Sequence, residues 1–376
     1  MDDKDIKQTL KKERAPKHRR RSGKKQKDEQ YCPPIEEKET AVEKPKRCFL
    51  AAFIPWKGDT VREGILKSLF LVCLAVFLTC GGILQNDYVL KPGTVTKDND
   101  ELATIYHSVD SGSETGSQSQ EGETEEPERD EEGNLVKIAK LQEINPDIIG
   151  WITVPNTVID LPVLQSSESY PEYYLYQNYK KEYSFAGSIF LDSRCTLQSR
   201  SMILFGHSLN SGLMFTDLLD YKSLDFYKSS PVFTFDTIED ENQWKIVSVF
   251  LANTDAEHGE PFNYMRVNFQ DDSDFMNFVY QIRIRSLFDI PVDFGPEDQL
   301  LLLSTCSYEY DDYRLVVAAR KVREGESDKV DTSKAAYSSK TVFPENYRKD
   351  RGLSLPDWPE TYEEANEQGF LSWAVE

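Results

Sequence analysis

The sequence predicts a mainly β protein, built as a closed or nearly closed barrel with few helices and preceded by one membrane-spanning helix. After Leu135, about eight apolar runs of strand length are separated by turn residues, and only one segment has clear helical periodicity. Many short strands with few helices favour a barrel. Ser68–Leu84 has 17 residues without a charge. With Ile65 and Leu66 added, this run is long enough to cross a bilayer.

Charge is distributed unevenly along the 376 residues. The first 67 residues carry about 19 basic and 12 acidic side chains, whereas the rest carries about 25 basic and 53 acidic ones. An acidic bulk argues against nucleic-acid binding, which needs a basic face. The basic excess, including the cluster Lys17–Arg21, precedes the apolar run, and Asp87 follows it. By the positive-inside rule, the N-terminus is cytoplasmic and the chain after Asn86 lies outside the cell.

Three segments are predicted before the barrel. Residues 1–62 form a disordered basic tail in the cytoplasm, drawn to anionic lipids. Residues 63–86 form an anchor that is not a cleaved signal peptide, because about 60 residues precede the apolar run. A buried core helix is the alternative, but the run has no polar face. Residues 87–134 form an acidic extracellular stalk, since residues 98–133 are rich in Ser, Gly, Glu and Asp and bury little apolar surface.

Residues 135–322 are predicted to form the barrel domain. We expect a short helix near Ile138, a helical segment at Leu213–Leu219, and a longer helix that begins at Asp271 or Asp272 and has one apolar face. The predicted strands are Gly150–Val154, Thr157–Leu164, Ser188–Leu191, Ser201–Phe205, Pro231–Phe235, Trp244–Ala252, Gln299–Thr305 and Arg314–Val322.

Residues 323–376 form a polar C-terminal extension that nevertheless contains several large aromatic side chains, among them Trp358, Tyr362, Phe370 and Trp373. Two interpretations stay open for this extension. Either the aromatic residues dock onto the barrel, or the extension is a loose tail.

Three residues at the ends of apolar runs point to thiol chemistry. Cys306 ends the run Leu300–Thr305, His207 ends the run Met202–Gly206, and Arg314 begins the run after Cys306. A thiolate can attack a carbonyl, an imidazole can move protons, and a guanidinium can hold the negative charge that develops. This combination predicts acyl transfer through a cysteine.

Each of these residues also has a structural alternative. Cys306 can be an inert core residue or can form a disulfide with Cys195, His207 can cap a turn, and Arg314 can pair with the acidic loop before it. Two cysteines outside the membrane do not make a disulfide scaffold. No cysteine pair or histidine cluster indicates a metal site, and no glycine-rich loop indicates a nucleotide site. We therefore expect no metal and no cofactor.

The motifs together resemble the sortases, membrane-anchored cysteine transpeptidases of mainly Gram-positive bacteria. Leu303–Cys306 with Arg314–Val317 resembles the TLxTC strand and the arginine strand of that family. Ile203–Ser208 resembles its histidine motif, and Gly150–Gln165 resembles its opening strands. Class B is indicated by Tyr174–Leu175, Ala186–Asp192 and a helix at Asp271–Ser286. The resemblance covers about residues 135–322.

The resemblance implies an eight-stranded barrel on the outer face of the bacterial membrane and a two-step reaction. Cys306 would attack the threonine carbonyl of a C-terminal sorting signal, of LPXTG or NPQTN type, on a surface protein. The acyl group would then pass to an amine of the peptidoglycan precursor. His207 would move protons, and Arg314 would position the signal and stabilise the oxyanion. The implied substrate-binding residues are Thr305, Ser304, Leu175 and Tyr264.

Two alternatives and two departures accompany this resemblance. A pilin-polymerising sortase would use a pilin lysine as acceptor and commonly carries an Asp-Pro-aromatic lid motif, which the stalk lacks. A non-enzymatic surface module would use Cys306 and His207 structurally. The loop after Cys306 is short and acidic, with Tyr308 at its second position, so no catalytic carboxylate is assigned. The C-terminal extension is not typical of the family.

Overall fold

In a computed structural model of the chain, the described residues are 53–111 and 126–375. Most of the predicted cytoplasmic tail and residues 112–125 of the predicted stalk lie outside them. The described residues divide into two units after Ala75.

The first helix, α1 (Val61–Gln85), begins at a capping box. The backbone N–H of Glu63 donates to Thr60 Oγ1 at 3.3 Å, and the backbone N–H of Thr60 donates to the Glu63 carboxylate at 2.9 Å. This reciprocal pair satisfies two N–H groups that a helix start leaves without partners. Among the described residues, α1 is the one helix long and apolar enough to cross a membrane, by length and composition. It coincides with the predicted anchor.

After a single π-helical turn at Asn86–Leu90, helix α2 (Lys91–Ser111) packs on the barrel. The prediction of an extended stalk is therefore wrong for these residues. Leu102 and Tyr106, four residues apart, are buried. The Tyr106 ring stacks on Trp151 at 4.6 Å, and its hydroxyl donates to Asp236 at 2.5 Å. The sequence did not predict this packing because the segment is mostly polar and the two apolar residues form only one pair on one face of the helix.

The barrel is closed by eight strands in the order β1-β2-β3-β4-β8-β9-β6-β5. Every predicted strand is confirmed, with ends shifted by at most three residues. The strands are β1 (Ile148–Thr153), β2 (Asp160–Gln165), β3 (Ile189–Leu191), β4 (Ser201–Phe205), β5 (Val232–Thr237), β6 (Gln243–Asn253), β8 (Leu300–Ser307) and β9 (Tyr313–Lys321). Two short strands, β7 (Phe288–Asp289) and β10 (Ala336–Tyr337), pair separately and were not predicted.

Two strand pairings determine where the site lies. β4 runs parallel to β8, with Phe205 opposite Ser304. β9 runs antiparallel to β8, with Arg314 opposite Cys306. The C-terminal ends of β4 and β8 and the start of β9 therefore meet at one end of the barrel. The barrel interior is filled by apolar side chains of all eight strands.

Three α-helices lie within residues 135–322: α3 (Val136–Ile144), α4 (Leu224–Ser229) and α5 (Asp272–Arg283). α5 begins where predicted, because the Asp271 side chain accepts a hydrogen bond from the N–H of Asp274. Its predicted apolar face is buried. The segment Leu213–Leu219 is only partly helical, as a 3-10 helix at Thr216–Lys222.

The C-terminal extension docks onto the domain and is not a loose tail. It contains helices α6 (Glu345–Arg351) and α7 (Tyr362–Glu367). The hydroxyl of Tyr280 on α5 donates to the carbonyl of Pro359 at 2.7 Å, and the N–H of Phe294 donates to the carbonyl of Trp373 at 2.9 Å. Trp358, Tyr362, Leu371 and Trp373 join a small apolar cluster against α5.

Candidate active site

A histidine and a cysteine lie at the same level at one end of the barrel. Phe205 and Ser304 are paired in the parallel strands β4 and β8, and His207 and Cys306 each follow two residues later. Because neighbouring parallel strands advance in the same direction, these two residues reach the same edge of the sheet. Thr305 links the ends of the two strands, since its Oγ1 donates to the carbonyl of Gly206 at 2.8 Å.

Gly206 is needed at the turn that follows β4. A Cβ at this position would lie 2.4 Å from Ile189 Cδ1 and 2.8 Å from the Phe215 ring. No L side chain fits there without displacement of buried neighbours. The glycine therefore lets the chain pass close to the core and deliver His207 to the barrel edge.

Arg314 lies directly opposite Cys306 in the antiparallel pair β8–β9. Cross-strand partners of this kind project from the same face of a sheet. The Nη1 of Arg314 donates to the carbonyl of Tyr313 at 3.0 Å. Throughout residues 53–111 and 126–375, no carboxylate forms an ion pair with Arg314, so the predicted alternative of a pair with the preceding acidic loop is not formed.

All seven predicted site residues line one cleft of about 940 Å³ at this end of the barrel. They are Cys306, His207, Arg314, Thr305, Ser304, Leu175 and Tyr264. The walls come from the connection between β2 and β3, the connection between β3 and β4, and the connection between β6 and α5. Among the described residues, none before Glu168 lines the cleft.

The His207 ring is half-buried and held by one backbone group. Its Nε2 lies 2.9 Å from the carbonyl oxygen of Leu175, which can only accept a hydrogen bond. The neutral ring therefore carries its proton on Nε2 and keeps Nδ1 as a base. Burial lowers the pKa of His207, and the bond to Leu175 opposes this only in part. A neutral imidazole is thus favoured near neutral pH.

Tyr264 and Ser304 form a buried polar pair beside Cys306. The Tyr264 hydroxyl and Ser304 Oγ are 2.9 Å apart. Burial raises the pKa of Tyr264, and the bond to Ser304 opposes the rise in part. The phenol therefore stays protonated and can orient polar atoms of a ligand in the cleft.

The two cysteines of the barrel domain are both free, so the alternative of a Cys195–Cys306 bridge is not realised. Cys195 is buried, and its thiol donates to the carbonyl of Ser201 at 3.6 Å. Burial raises the pKa of Cys195 to about 11, which keeps it a thiol at neutral pH. Cys306 is half-buried and borders the cleft. Of the two, Cys306 is placed for thiolate chemistry.

Two contacts around the cleft were not predicted from the sequence. The ring of Tyr176 lies 5.4 Å from that of His207, and Arg194 makes a two-point ion pair with Asp192 at the cleft wall, at 2.9 and 2.7 Å. The short spacing of Asp192 and Arg194 was a visible signal for this pair. Tyr176 had no such signal, because its position depends on how the β2–β3 connection folds back.

Glu309, in the acidic loop after Cys306, is paired with a lysine away from the cleft. Glu309 accepts from Lys222 Nζ at 2.5 Å and from the hydroxyl of Ser307. Burial raises the pKa of Glu309, but these hydrogen bonds outweigh it and the net pKa is lowered. The carboxylate is not part of the cleft lining. In the described part of the chain, no group of three or more His, Cys, Asp or Glu residues is arranged to hold a metal ion.

Comparison with known proteins shows similarity to sortase B enzymes. No protein-family model matches the chain. Over 268 residues it is 31% identical to sortase B of Listeria monocytogenes, which covers 70% of this chain and 98% of that relative. The solved Staphylococcus aureus sortase B–substrate complex is 26% identical, with a TM-score of 0.52 over 62% of this chain and 99% of that one. A crystal structure of sortase B complexed with triglycine has a TM-score of 0.51 and 26% identity, over 61% of this chain and 98% of that one.

Proposed function

The chain belongs to the class B sortases, which are cysteine transpeptidases, and on that premise we propose that it attaches surface proteins to the cell wall. It would cleave a C-terminal sorting signal of LPXTG or NPQTN type and transfer the protein to an amine of the peptidoglycan precursor. The observation that carries this proposal is the strand register. It brings His207 to the level of Cys306 and puts Arg314 opposite Cys306 at the wall of one cleft.

In the first step, neutral His207 takes the proton of the Cys306 thiol, and the resulting thiolate attacks the carbonyl carbon of the threonine in the signal. The negative charge that develops on the carbonyl oxygen is held by Arg314, whose guanidinium has donors to spare. The carbon–nitrogen bond then breaks, and protonated His207 gives a proton to the leaving amine. Its lowered pKa makes the imidazolium a stronger acid for this transfer. The product is a thioester on Cys306.

In the second step, an acceptor amine attacks the thioester. Neutral His207 takes the proton that the amine loses, and the carbon–sulfur bond breaks to release the Cys306 thiolate. The thioester thus replaces one difficult amide exchange by two easier reactions. Ser304, Thr305, Leu175 and Tyr264 would contact the signal, since all four line the cleft.

A peptidoglycan amine is the acceptor we propose. The similarity to a sortase B complexed with triglycine supports an amine acceptor for this chain. A pilin lysine has less support, because the lid that pilin-polymerising enzymes commonly carry would come from the N-terminal segment. No described residue before Glu168 lines the cleft.

The reaction can be tested with the purified full chain, two fluorogenic peptides that carry LPXTG or NPQTN, and triglycine as acceptor. We expect cleavage of one peptide over the other and a product joined to triglycine, identified by mass spectrometry. Failure to cleave either peptide would contradict the proposed substrate class. Cleavage that yields only hydrolysis, at every acceptor concentration, would contradict the proposed transfer.

We further propose that α1 anchors the enzyme with its N-terminus in the cytoplasm and the barrel outside. The length and composition of α1 support an anchor, and the charge difference across the apolar run supports this orientation. Protease added to intact protoplasts should then remove the barrel and spare the tail before Arg62. A barrel that resists protease until the protoplasts are lysed would contradict the orientation.

A further inference from the structure

We propose that helix α6 of the C-terminal extension positions Arg314 for the reaction, through Asn346 and Tyr313. The inference rests on the role proposed above for Arg314. Tyr313 directly precedes Arg314 in β9, and its carbonyl accepts the hydrogen bond from Arg314 Nη1 at 3.0 Å. The peptide group of Tyr313 therefore helps to hold the Arg314 guanidinium in place. Whatever fixes Tyr313 also fixes the direction in which the remaining Arg314 donors point.

The Tyr313 side chain is fixed from the face opposite to the cleft. Successive side chains of a strand point to opposite faces, so Tyr313 points away from the cleft that Arg314 lines. It is 0% exposed, and its hydroxyl donates to Oδ1 of Asn346 on α6. Burial raises the pKa of Tyr313 to about 12, so the hydroxyl stays a donor. Asn346 Oδ1 also accepts the N–H of Tyr347 at 2.8 Å, which restrains the amide.

α6 makes a second contact with the loop that joins Cys306 to Arg314. The hydroxyl of Tyr310 in this loop donates to Asp350 at 2.7 Å and accepts from Arg351 Nη1 at 2.9 Å. The Tyr310 and Tyr313 rings are 5.0 Å apart. Two tyrosines of one hairpin are thus bound to one short helix, which restrains the loop and the start of β9 together.

α6 is itself joined to the rigid part of the domain. Just before it, Thr341 Oγ1 donates to the carbonyl of Ser286 at 2.8 Å, and both residues are buried. At its first turn, Glu345 packs on Gly259, where an added Cβ would lie 2.4 Å from the Glu345 Cβ. The helix is therefore held between the end of α5 and the β6–α5 connection, and it can transmit that rigidity to Tyr313.

The test compares full-length variants in the peptide transfer assay. Asn346→Ala removes the acceptor of the Tyr313 hydroxyl, and Asn346→Asp keeps an acceptor oxygen. Asn366→Ala makes the same chemical change at an exposed position of α7, far along the extension. We expect Asn346→Ala to lower kcat about tenfold with little change in KM, since a misplacement of about 1 Å can cost up to about a hundredfold. Asn346→Asp should recover most of the loss, and Asn366→Ala should match the unmodified enzyme.

A double-mutant cycle separates positioning from general damage. If α6 acts through Arg314, Asn346→Ala should cause no further loss in an Arg314→Ala background. Losses that multiply would overturn the proposal, as would an unchanged kcat for Asn346→Ala. If Arg314→Ala alone has normal kinetics, the role proposed for Arg314 fails instead. Should Asn346→Ala not fold, Tyr313→Phe removes the same hydrogen bond from the other side, and a normal kcat for that variant overturns the proposal equally.

Discussion

Strand β9 carries two arginines in opposite settings, one near each end of the barrel. Arg320 is 0% exposed and donates to both oxygens of Glu326 at 2.8 Å and to Asp293 at 3.0 Å. Arg314 is half-buried and donates to a single backbone carbonyl. Arg320 is therefore fully bonded, mainly to carboxylates, whereas Arg314 on the same strand keeps donors that are not bonded.

On the mechanism proposed above, this difference separates a structural arginine from a catalytic arginine within one strand. Removal of a buried cation whose donors are all bound leaves its partner carboxylates uncompensated, which destabilises the fold, and such a cation has no donor left for a ligand. A half-buried cation with spare donors, beside a cysteine and a histidine, is available to an anionic transition state. Changes at the Arg320 end should therefore alter folding, and changes at the Arg314 end should alter catalysis.

The largest effect is expected for the two cysteines. Cys306→Ala should abolish peptide cleavage, a loss of roughly 10⁵- to 10⁶-fold, because the nucleophile has no substitute. Cys195→Ala should leave kcat nearly unchanged, since that thiol is buried and protonated. Steady-state cleavage of the signal peptide measures both. Turnover by Cys306→Ala, or its loss in Cys195→Ala, would show that the wrong cysteine was assigned.

The barrel and the site could be read from the sequence because their signals are local. Each strand is a short apolar run, and Cys306, His207 and Arg314 stand where such runs end or begin. The parallel pairing of β4 with β8 then brings distant motifs together, as the family resemblance implied. α2 was not predicted because a single buried pair, Leu102 and Tyr106, packs this otherwise polar segment onto the barrel.

The second expected effect is on folding at the other end of β9. Arg320→Met should lower the free energy of unfolding by about 3 kcal/mol, the low end of the cost of breaking a buried ion pair. The low end applies because Asp293 and Glu326 keep contacts with Arg323 and Lys245. Urea unfolding monitored by tryptophan fluorescence measures the change, and kcat per folded molecule should stay constant. A large fall in kcat without destabilisation would break the distinction between the two ends.

The third effect is expected for Arg314→Lys, which keeps the charge and removes the planar fork. The variant should stay folded and lose about a hundredfold or more in turnover, since one oxyanion donor contributes roughly 2.7–4 kcal/mol. The rate of thioester formation and the rate of transfer to triglycine should both fall. Near-normal kinetics would mean that Arg314 contributes only its positive charge. The proposed role of its spare hydrogen-bond donors would then be wrong.

The extension could not be placed from the sequence, and the reason is physical. Its aromatic residues have no regular period, and its contacts are with residues far away along the chain, such as Tyr280 and Phe294. The ion pair of Arg320 with Asp293 was equally hidden, because Asp293 lies 27 residues away along the chain. Long-range polar contacts of this kind leave no local pattern.

The smallest effect concerns the pH dependence of stability at the Arg320 end. The hydrogen bond from Arg320 holds the pKa of Glu326 far below its ordinary value, against the opposing effect of burial and with help from Lys245. A lowered pKa in the folded state means that this carboxylate stabilises the fold above its unfolded pKa of about 4.5. The stabilisation is lost as pH falls from there towards the folded pKa.

Glu326→Gln should therefore lower the free energy of unfolding at pH 7 by about 1.5 kcal/mol, at the low end of values for hydrogen bonds to charged groups. The gap between the unmodified enzyme and this variant should narrow below about pH 4.5, because only the unmodified enzyme has the carboxylate to protonate. Urea unfolding at pH 7, 5 and 4 measures it, with Glu297→Gln as an exposed control. A gap of the same size at pH 7 and pH 4 would mean that the charge of Glu326 does not stabilise this end of the barrel. In that case the contrast between Arg320 and Arg314 would rest on burial alone.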